Sequence, residues 1–317
     1  MTEAEAGRIW VLADPRAGTA AQAIGIAERL GRPFRTMPLA WGPLARLPLR
    51  WPTLAGMGAA ARRGLAPPWP RLVISAGRRS APVALWLAGQ GARTVHCMRP
   101  GFAEHRFGLL VAGRHDSPPA APNLVAILGA THRMSPARLA AAREEWSMFA
   151  AFPSPRVALL LGGPPRGEGM APGTAAAIAR QVAGFAGSVL ATGSRRTGRP
   201  AETAAAGMIG DLPHHLHRWG DGGANPYAGL LAWADAVVVT GDSVSMVSEA
   251  LATEVPVFIA DPGGLGARHR RLHDSLYAAR QARPLAEAPT PFAREPLDET
   301  GRVAFEVAER FLEDWPV

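Results

Sequence analysis

The stretch Ala234-Asp235-Ala236-Val237-Val238-Val239-Thr240-Gly241-Asp242-Ser243-Val244-Ser245-Met246-Val247-Ser248-Glu249-Ala250 carries the clearest chemical pattern in the chain. A hydrophobic strand runs straight into small polar residues, and a helix over 245–252 opens there. The first N–H groups of a helix have no internal partner, and its dipole adds partial positive charge at the same place. Gly241, Ser243 and Ser245 leave room for a phosphate to approach that backbone, with Met246 in the same first turn. Glu249 follows Ser245 by four residues, so both lie on one side of the helix. A carboxylate so placed can accept two hydrogen bonds from a cis-diol such as ribose presents. The same residues also fit ordinary capping, with Asp242 or Ser243 as the cap and Glu249 a solvated acid.

Two further loops hold anion-binding groups. Gly162, Gly163, Arg166 and Gly167 follow the strand 156–161, and Thr192-Gly193-Ser194-Arg195-Arg196 follows the strand 188–191. In a doubly wound sheet, ligands bind outside the carboxyl ends of the strands, so the three loops are expected to meet on one rim. Guanidinium groups beside a helix start can hold a pyrophosphate without a metal. No Asp-x-Asp pair is placed to hold a divalent ion. The expected ligand is therefore a nucleoside diphosphate, with no metal and no other cofactor.

The elements that must position these loops recur in two halves. Residues 8–13 form a short apolar strand ending at Asp14, followed by a turn with Pro15 and Gly18 and a helix over 20–30. Residues 156–161, the glycine loop and a helix over 172–184 repeat that order. Residues 72–75, 94–98, 108–112, 124–128, 236–240 and 256–260 are further continuous apolar runs, the look of strands buried on both faces. The fold expected is α/β, with two Rossmann-like doubly wound domains facing each other across a cleft. Pro153 and Pro155 punctuate the chain. They set the expected boundary between 1–153 and 154–300, and 301–317 reads as a terminal amphipathic helix.

Composition narrows the class. At 317 residues the chain exceeds one ordinary core. It has no lysine, so all 34 basic side chains are arginine, and the net charge of +8 favours anionic partners. The arginines come in pairs (Arg62-Arg63, Arg78-Arg79, Arg195-Arg196, Arg270-Arg271) without interleaved aromatic platforms, so no nucleic-acid partner is expected. The single cysteine, Cys97, excludes an internal disulfide. No apolar run is long enough to span a bilayer and no secretory signal is visible, which reads as a cytoplasmic protein. Residues 39–70 mix Trp41, Leu44, Leu47, Leu49, Trp51, Leu54, Leu65 and Trp69 with prolines and arginines. They read either as a surface excursion packed on the domain, or as a patch touching the inner face of an anionic membrane. Nothing in the sequence sets an oligomeric state.

Several motifs together resemble the bacterial branch of the elongated-mitochondria, or mitochondrial fission, protein family. They are Asp14-Pro15-Arg16-Ala17-Gly18 with Gln22-Ala23-Ile24-Gly25; Ser75-Ala76-Gly77-Arg78-Arg79; Thr192 to Thr197; Asn225-Pro226-Tyr227 through Asp235; Thr240 to Ala250; and Arg268 to Arg283 with His273, Leu276 and Tyr277. That family in turn resembles B-type glycosyltransferases, built of two Rossmann domains, which implies a terminal helix packing back toward the first domain, supplied by 301–317. The resemblance implies a nucleotide-sugar donor in the second domain and an acceptor against the first, where Gly18, Arg78 and Arg79 are the candidate contacts. The implied activity is metal-independent glycosyl transfer to an envelope or lipid-linked acceptor. A non-catalytic scaffold that keeps the nucleotide site and a sugar-nucleotide epimerase are the alternatives. An inverting transferase needs a general base near the acceptor hydroxyl; the candidates are His132, then Asp116 beside His115, then Asp14.

Overall fold

Apolar runs bounded by glycine, proline or charge become the strands, and the computed structural model describes residues 8–164 and 169–313. The chain divides into two units, one running to Arg133 and resuming at Glu299, the other spanning Met134–Asp298.

The first unit contains β1 (Ile9–Ala13), α1 (Ala17–Arg29), β2 (Arg35–Pro38), α2 (Ala59–Arg63), β3 (Leu72–Ala76), α3 (Ala81–Ala88), β4 (Arg93–Cys97), β5 (Leu109–Gly113) and β6 (Leu124–Ile127). Its six strands pair in parallel in the order β2-β1-β3-β4-β5-β6. Successive side chains of a strand point to opposite faces, so each strand feeds two cores. Ile9, Val11, Ile74 and Val95 pack with Ile26 of α1 and with Val303 and Val307 of the C-terminal helix. Trp10, Leu12 and Val73 pack on the other face with Leu85, Met57 and Leu65. After β1 the chain turns to β2 on one side and then crosses to β3 on the other. The switch point therefore lies between β1 and β3.

The second unit contains α4 (Pro136–Glu145), β7 (Arg156–Leu161), α5 (Pro172–Ala183), β8 (Ser188–Gly193), α6 (Arg199–Ile209), β9 (His214–His217), α7 (Tyr227–Trp233), β10 (Ala236–Thr240), α8 (Val244–Ala250), β11 (Val257–Ala260), α9 (Ala267–Ala278) and β12 (Arg283–Pro284). The parallel order is β12-β11-β10-β7-β8-β9, with the switch point between β7 and β10. The last helix, α10 (Glu299–Phe311), groups with the first unit. There Leu128 N–H donates to Glu299 Oε1 at 2.6 Å, and His132 N–H to Thr300 Oγ1 at 3.0 Å.

The division falls some twenty residues ahead of Pro153, because α4 and the 3-10 turn Ser147–Ala151 belong to the second unit. Arg143 lies 4.0 Å from the centre of the Trp233 ring, and Trp233 Nε1–H donates to Arg143 O at 3.0 Å. Residues 39–70 are irregular, with a 3-10 turn at Pro43–Arg46 and a bridge between Trp41 and Met57. Trp69 packs edge-on against Trp10 and Trp86, whereas Leu44, Leu47 and Trp51 stay exposed. Among the described residues no helix is long and apolar enough to cross a membrane.

Candidate functional site

At the switch point of the second unit, the loops after β7 and β10 are fastened together. Gly162 N–H donates to Thr240 Oγ1 at 2.7 Å, Gly163 N–H donates to Asp242 Oδ2, and Thr240 Oγ1–H donates to Asp242 Oδ1 at 2.7 Å. A Cβ at residue 162 would stand 2.5 Å from Asp242 Oδ1, and one at 163 would stand 1.9 Å from the Arg196 carbonyl oxygen. The two glycines are thus required for close approach, and their amides are already engaged inside the protein. That corrects the expectation that these amides themselves seat a phosphate. Asp242, almost fully buried, ties the loops through both of its carboxylate oxygens. Arg166 lies outside the described residues.

The loop after β8 joins the same cluster. Thr197 Oγ1 accepts from Ser194 N–H at 2.7 Å and donates to Leu161 O at 2.7 Å, and Ser194 Oγ accepts from Arg196 N–H at 3.2 Å. This closes a tight turn that leaves Arg195 exposed and Arg196 half-buried, neither with a carboxylate partner among the described residues. Ser243 caps α8, its Oγ accepting from Met246 N–H at 3.4 Å, which realises the capping role. Ser245 is half-exposed and Met246 buried.

Glu249 closes this row. Burial pushes its carboxyl up to about 7, against the smaller opposing effects of the Tyr227 hydroxyl and the Arg138 guanidinium. The Tyr227 oxygen is buried with no hydrogen bond of good geometry, and burial first, then the nearby Glu249 carboxyl, hold its ionisation well above the ordinary value. The solvated acid foreseen as one reading of Glu249 is therefore not what the fold builds. Tyr227 belongs to the Asn-Pro-Tyr motif at the start of α7, so two separate motifs meet here.

Sequence reasoning gave no role to His269. It and His273 lie four residues apart on α9, one turn of helix, which is the signal that could have found them. His273 Nε2 lies 2.9 Å from Gly241 O, and a Cβ at 241 would stand 2.3 Å from the His273 ring. Burial lowers the His269 pKa, as do Arg268 and Arg196, while Asp242 acts in the opposite sense. Arg196, Arg268, His269 and Asp242 therefore share one electrostatic neighbourhood at the rim.

The first unit treats the candidate bases differently. Asp14 is buried; its Oδ1 accepts from Arg16 N–H and Nε–H at 2.9 and 2.8 Å, and its Oδ2 accepts from Trp41 Nε1–H at 3.1 Å. Although burial acts to raise it, these bonds hold the carboxyl below the usual range, which ties Asp14 to loop geometry and makes it a poor base. His132 is 3% exposed, its main chain pinned by Thr300 and packed on Gly25. Asp116 keeps 20% of its side chain exposed and stands 3.8 Å from His115 Nε2. Gly18 sits half-buried in the first turn of α1, and Arg78 and Arg79 are exposed just before α3. Among the described residues no group of three or more His, Cys, Asp or Glu could hold a metal ion.

The sequence profile of the family described as mitochondrial fission ELM1 matches residues 17–311. The mitochondrial fission protein ELM1 of Arabidopsis thaliana is 30% identical over 220 residues, which cover 60% of this chain and 51% of that protein. The chain thus spans about half the length of that relative. An uncharacterized protein of Rickettsia prowazekii is 25% identical over 346 aligned positions, covering 93% of this chain and 96% of its own. Among solved structures, Os79 from O. sativa in complex with UDP superposes with a TM-score of 0.55 at 10% identity, over 95% of this chain and 91% of that one. The calicheamicin glycosyltransferase CalG4 gives 0.54 at 14% identity, over 98% and 99%. A putative UDP-N-acetylglucosamine 2-epimerase from Listeria monocytogenes gives 0.52 at 13%, over 98% of each chain. At such identities the likeness establishes the fold, that of B-type glycosyltransferases and sugar-nucleotide epimerases.

Proposed function

The chain belongs to the mitochondrial fission ELM1 family, and on that premise we propose that its second unit binds a nucleoside diphosphate sugar, which the protein transfers, without a metal, to an envelope or lipid-linked acceptor. The observation that carries the reading is the fastening of the loops at 162–163, 194–197 and 241–243 into one rim cluster at the switch point. Arg195 and Arg196 stand on that cluster as cations without carboxylate partners among the described residues. The diphosphate lies against these guanidinium groups and the first turn of α8, in place of the glycine amides. The ribose diol reaches Glu249, about one helical turn further on. The ligand class follows the solved proteins of this fold, one of which holds UDP.

On the acceptor side, a base must reach the hydroxyl it deprotonates. Asp116, partly exposed and backed by His115, meets that demand better than buried His132 or the tied Asp14. A thermal-shift panel of UDP, GDP, CDP and ADP sugars, followed by sugar-release assays with a cell-envelope extract, tests the proposal. Stabilisation with turnover that survives EDTA and is lost in Asp116→Asn is the expected result. Stabilisation without turnover points to a scaffold, interconversion of the donor's own sugar to an epimerase, and no stabilisation by any member of the panel refutes the nucleotide site.

A further inference from the structure

The first unit has its own cavity, of about 240 Å³, beside the switch point between β1 and β3. We infer that this cavity binds the head of a phosphorylated amphiphile, with Arg46, Arg78 and Arg79 on the phosphate and its hydrocarbon chain laid over Leu47 and Leu49. The inference rests on the acceptor side of the reading above only for its biological role, since it concerns no residue of the nucleotide site.

The polar inventory decides the ligand's charge. Three guanidinium groups line the cavity with no acidic residue among the lining side chains, and none of the three has an ion pair among the described residues. The neutral polar side chains are few: Trp41 Nε1–H donates to Asp14, and Thr53 Oγ1 accepts from Ala55 N–H, which leaves one hydroxyl hydrogen to donate to an anion. No side-chain amide or carboxylate remains to read a sugar's hydroxyls. The cavity also meets the start of α3, whose cap residue Ser80 turns its hydroxyl back to Ala76 O and Gly77 O, leaving the first turn without a side-chain cap. Positive dipole and guanidinium charge thus act together on an anion.

Size and walls decide the rest. At about 30 Å³ per water in the liquid, the space holds roughly eight waters, enough for a phosphate or diphosphate and the first carbons of a chain. Sites that enclose larger organic ligands run from about 300 Å³ upward, so the space is matched to a phosphate head and not to enclosing a whole nucleotide sugar. Leu47, a lining residue, is 55% exposed, and Leu44 and Trp51, close to it in the chain, are exposed at 49% and 57%. Leu47 and Leu49 are the apolar walls on which a hydrocarbon tail would lie.

The test titrates the full chain with n-octyl phosphate below its micelle-forming concentration, and in parallel with inorganic phosphate and n-octyl glucoside. Octyl phosphate is expected to bind at least ten-fold tighter than inorganic phosphate, or about 1.4 kcal/mol, the effect of burying roughly two methylene groups. The uncharged glucoside is expected not to bind. An Arg78→Gln/Arg79→Gln variant should lose at least ten-fold, and Leu47→Glu, which sets a negative charge at an exposed position on the cavity mouth, should do the same without endangering the fold. Equal affinity for octyl and inorganic phosphate, unchanged affinity in both variants, or binding to phosphatidylglycerol vesicles with none to monomeric octyl phosphate would each overturn the assignment. Failure of every nucleotide sugar in the thermal-shift panel would refute the nucleotide reading alone, because this titration contains no nucleotide.

Discussion

Replacing Glu249 by glutamine should stabilise the protein at pH 8 and leave it unchanged at pH 4. In the folded chain the carboxyl titrates at about 7, against 4.5 when exposed. The unfolded chain therefore releases this proton at lower pH than the folded one. Between 4.5 and about 7 the folded state binds more protons, so stability falls as pH rises, and above 7 the full penalty of a buried carboxylate is present. At ~1.4 kcal/mol for each pH unit, the penalty has a ceiling of roughly 3.4 kcal/mol. Glu249 is only half-buried, and solvent screening brings the expected figure to about 1.5 kcal/mol. Glutamine keeps the shape and removes the charge. Its transition should lie roughly 3–6 °C above that of the parent at pH 8, converge with it by pH 4.5, and follow a sigmoid between. Thermal unfolding followed by circular dichroism across pH 4–8.5 reads this directly. Tyr227→Phe removes the hydroxyl that favours the carboxylate, so it should move the sigmoid to higher pH. A Glu249→Gln variant equally stable at every pH, or less stable at pH 8, would show that Glu249 is solvated and would remove the buried diol acceptor from the proposed site.

Three further outcomes follow from the geometry. Arg195→Ala should weaken UDP by about 1.5–3 kcal/mol in calorimetry while leaving uridine unchanged; equal losses for both would deny the arginine a phosphate. Gly163→Ala, whose Cβ would stand 1.9 Å from the Arg196 carbonyl oxygen, should lower stability by ~3 kcal/mol or more in urea unfolding, and a loss below about 1 kcal/mol would mean that the rim is loosely packed. His96, buried against Phe107 and 2.7 Å from Ser75 Oγ, is pushed down to about 3, so the unfolded chain takes up a proton near 6.5 that the folded one refuses. Stability should fall by roughly 2 kcal/mol between pH 7.5 and pH 5, and His96→Gln should flatten that slope in the same denaturation series.

What could be read from sequence was what depends on neighbours in the chain. The strands announced themselves as apolar runs, the start of α8 as small polar residues with a cap at Asp242 or Ser243, and the Arg195-Arg196 pair as positive charge at a strand end. What escaped depends on residues brought together from far away. Gly162 and Gly163 have the composition of a phosphate loop, yet Thr240 and Asp242, nearly eighty residues later, occupy their amides. Asp14 sits where a catalytic acid could stand, yet Trp41 and Arg16 bind its oxygens. Pro153 looked like a boundary because proline interrupts local structure, but Arg143 and Trp146 are claimed by Trp233 and Gly229 on α7, which draws α4 into the second unit. Glu249 carries the same point into function. Its spacing from Ser245 suggested a diol acceptor, but its readiness to hold or release a proton near neutrality comes from burial and from Tyr227 on another helix. If Glu249 receives the ribose, nucleotide binding must favour the ionised carboxylate, so affinity should rise with pH through about 7. A rise in affinity that Glu249→Gln abolishes would tie the nucleotide to this carboxyl, because that substitution leaves the other ionisable groups of the rim, His269 among them, in place.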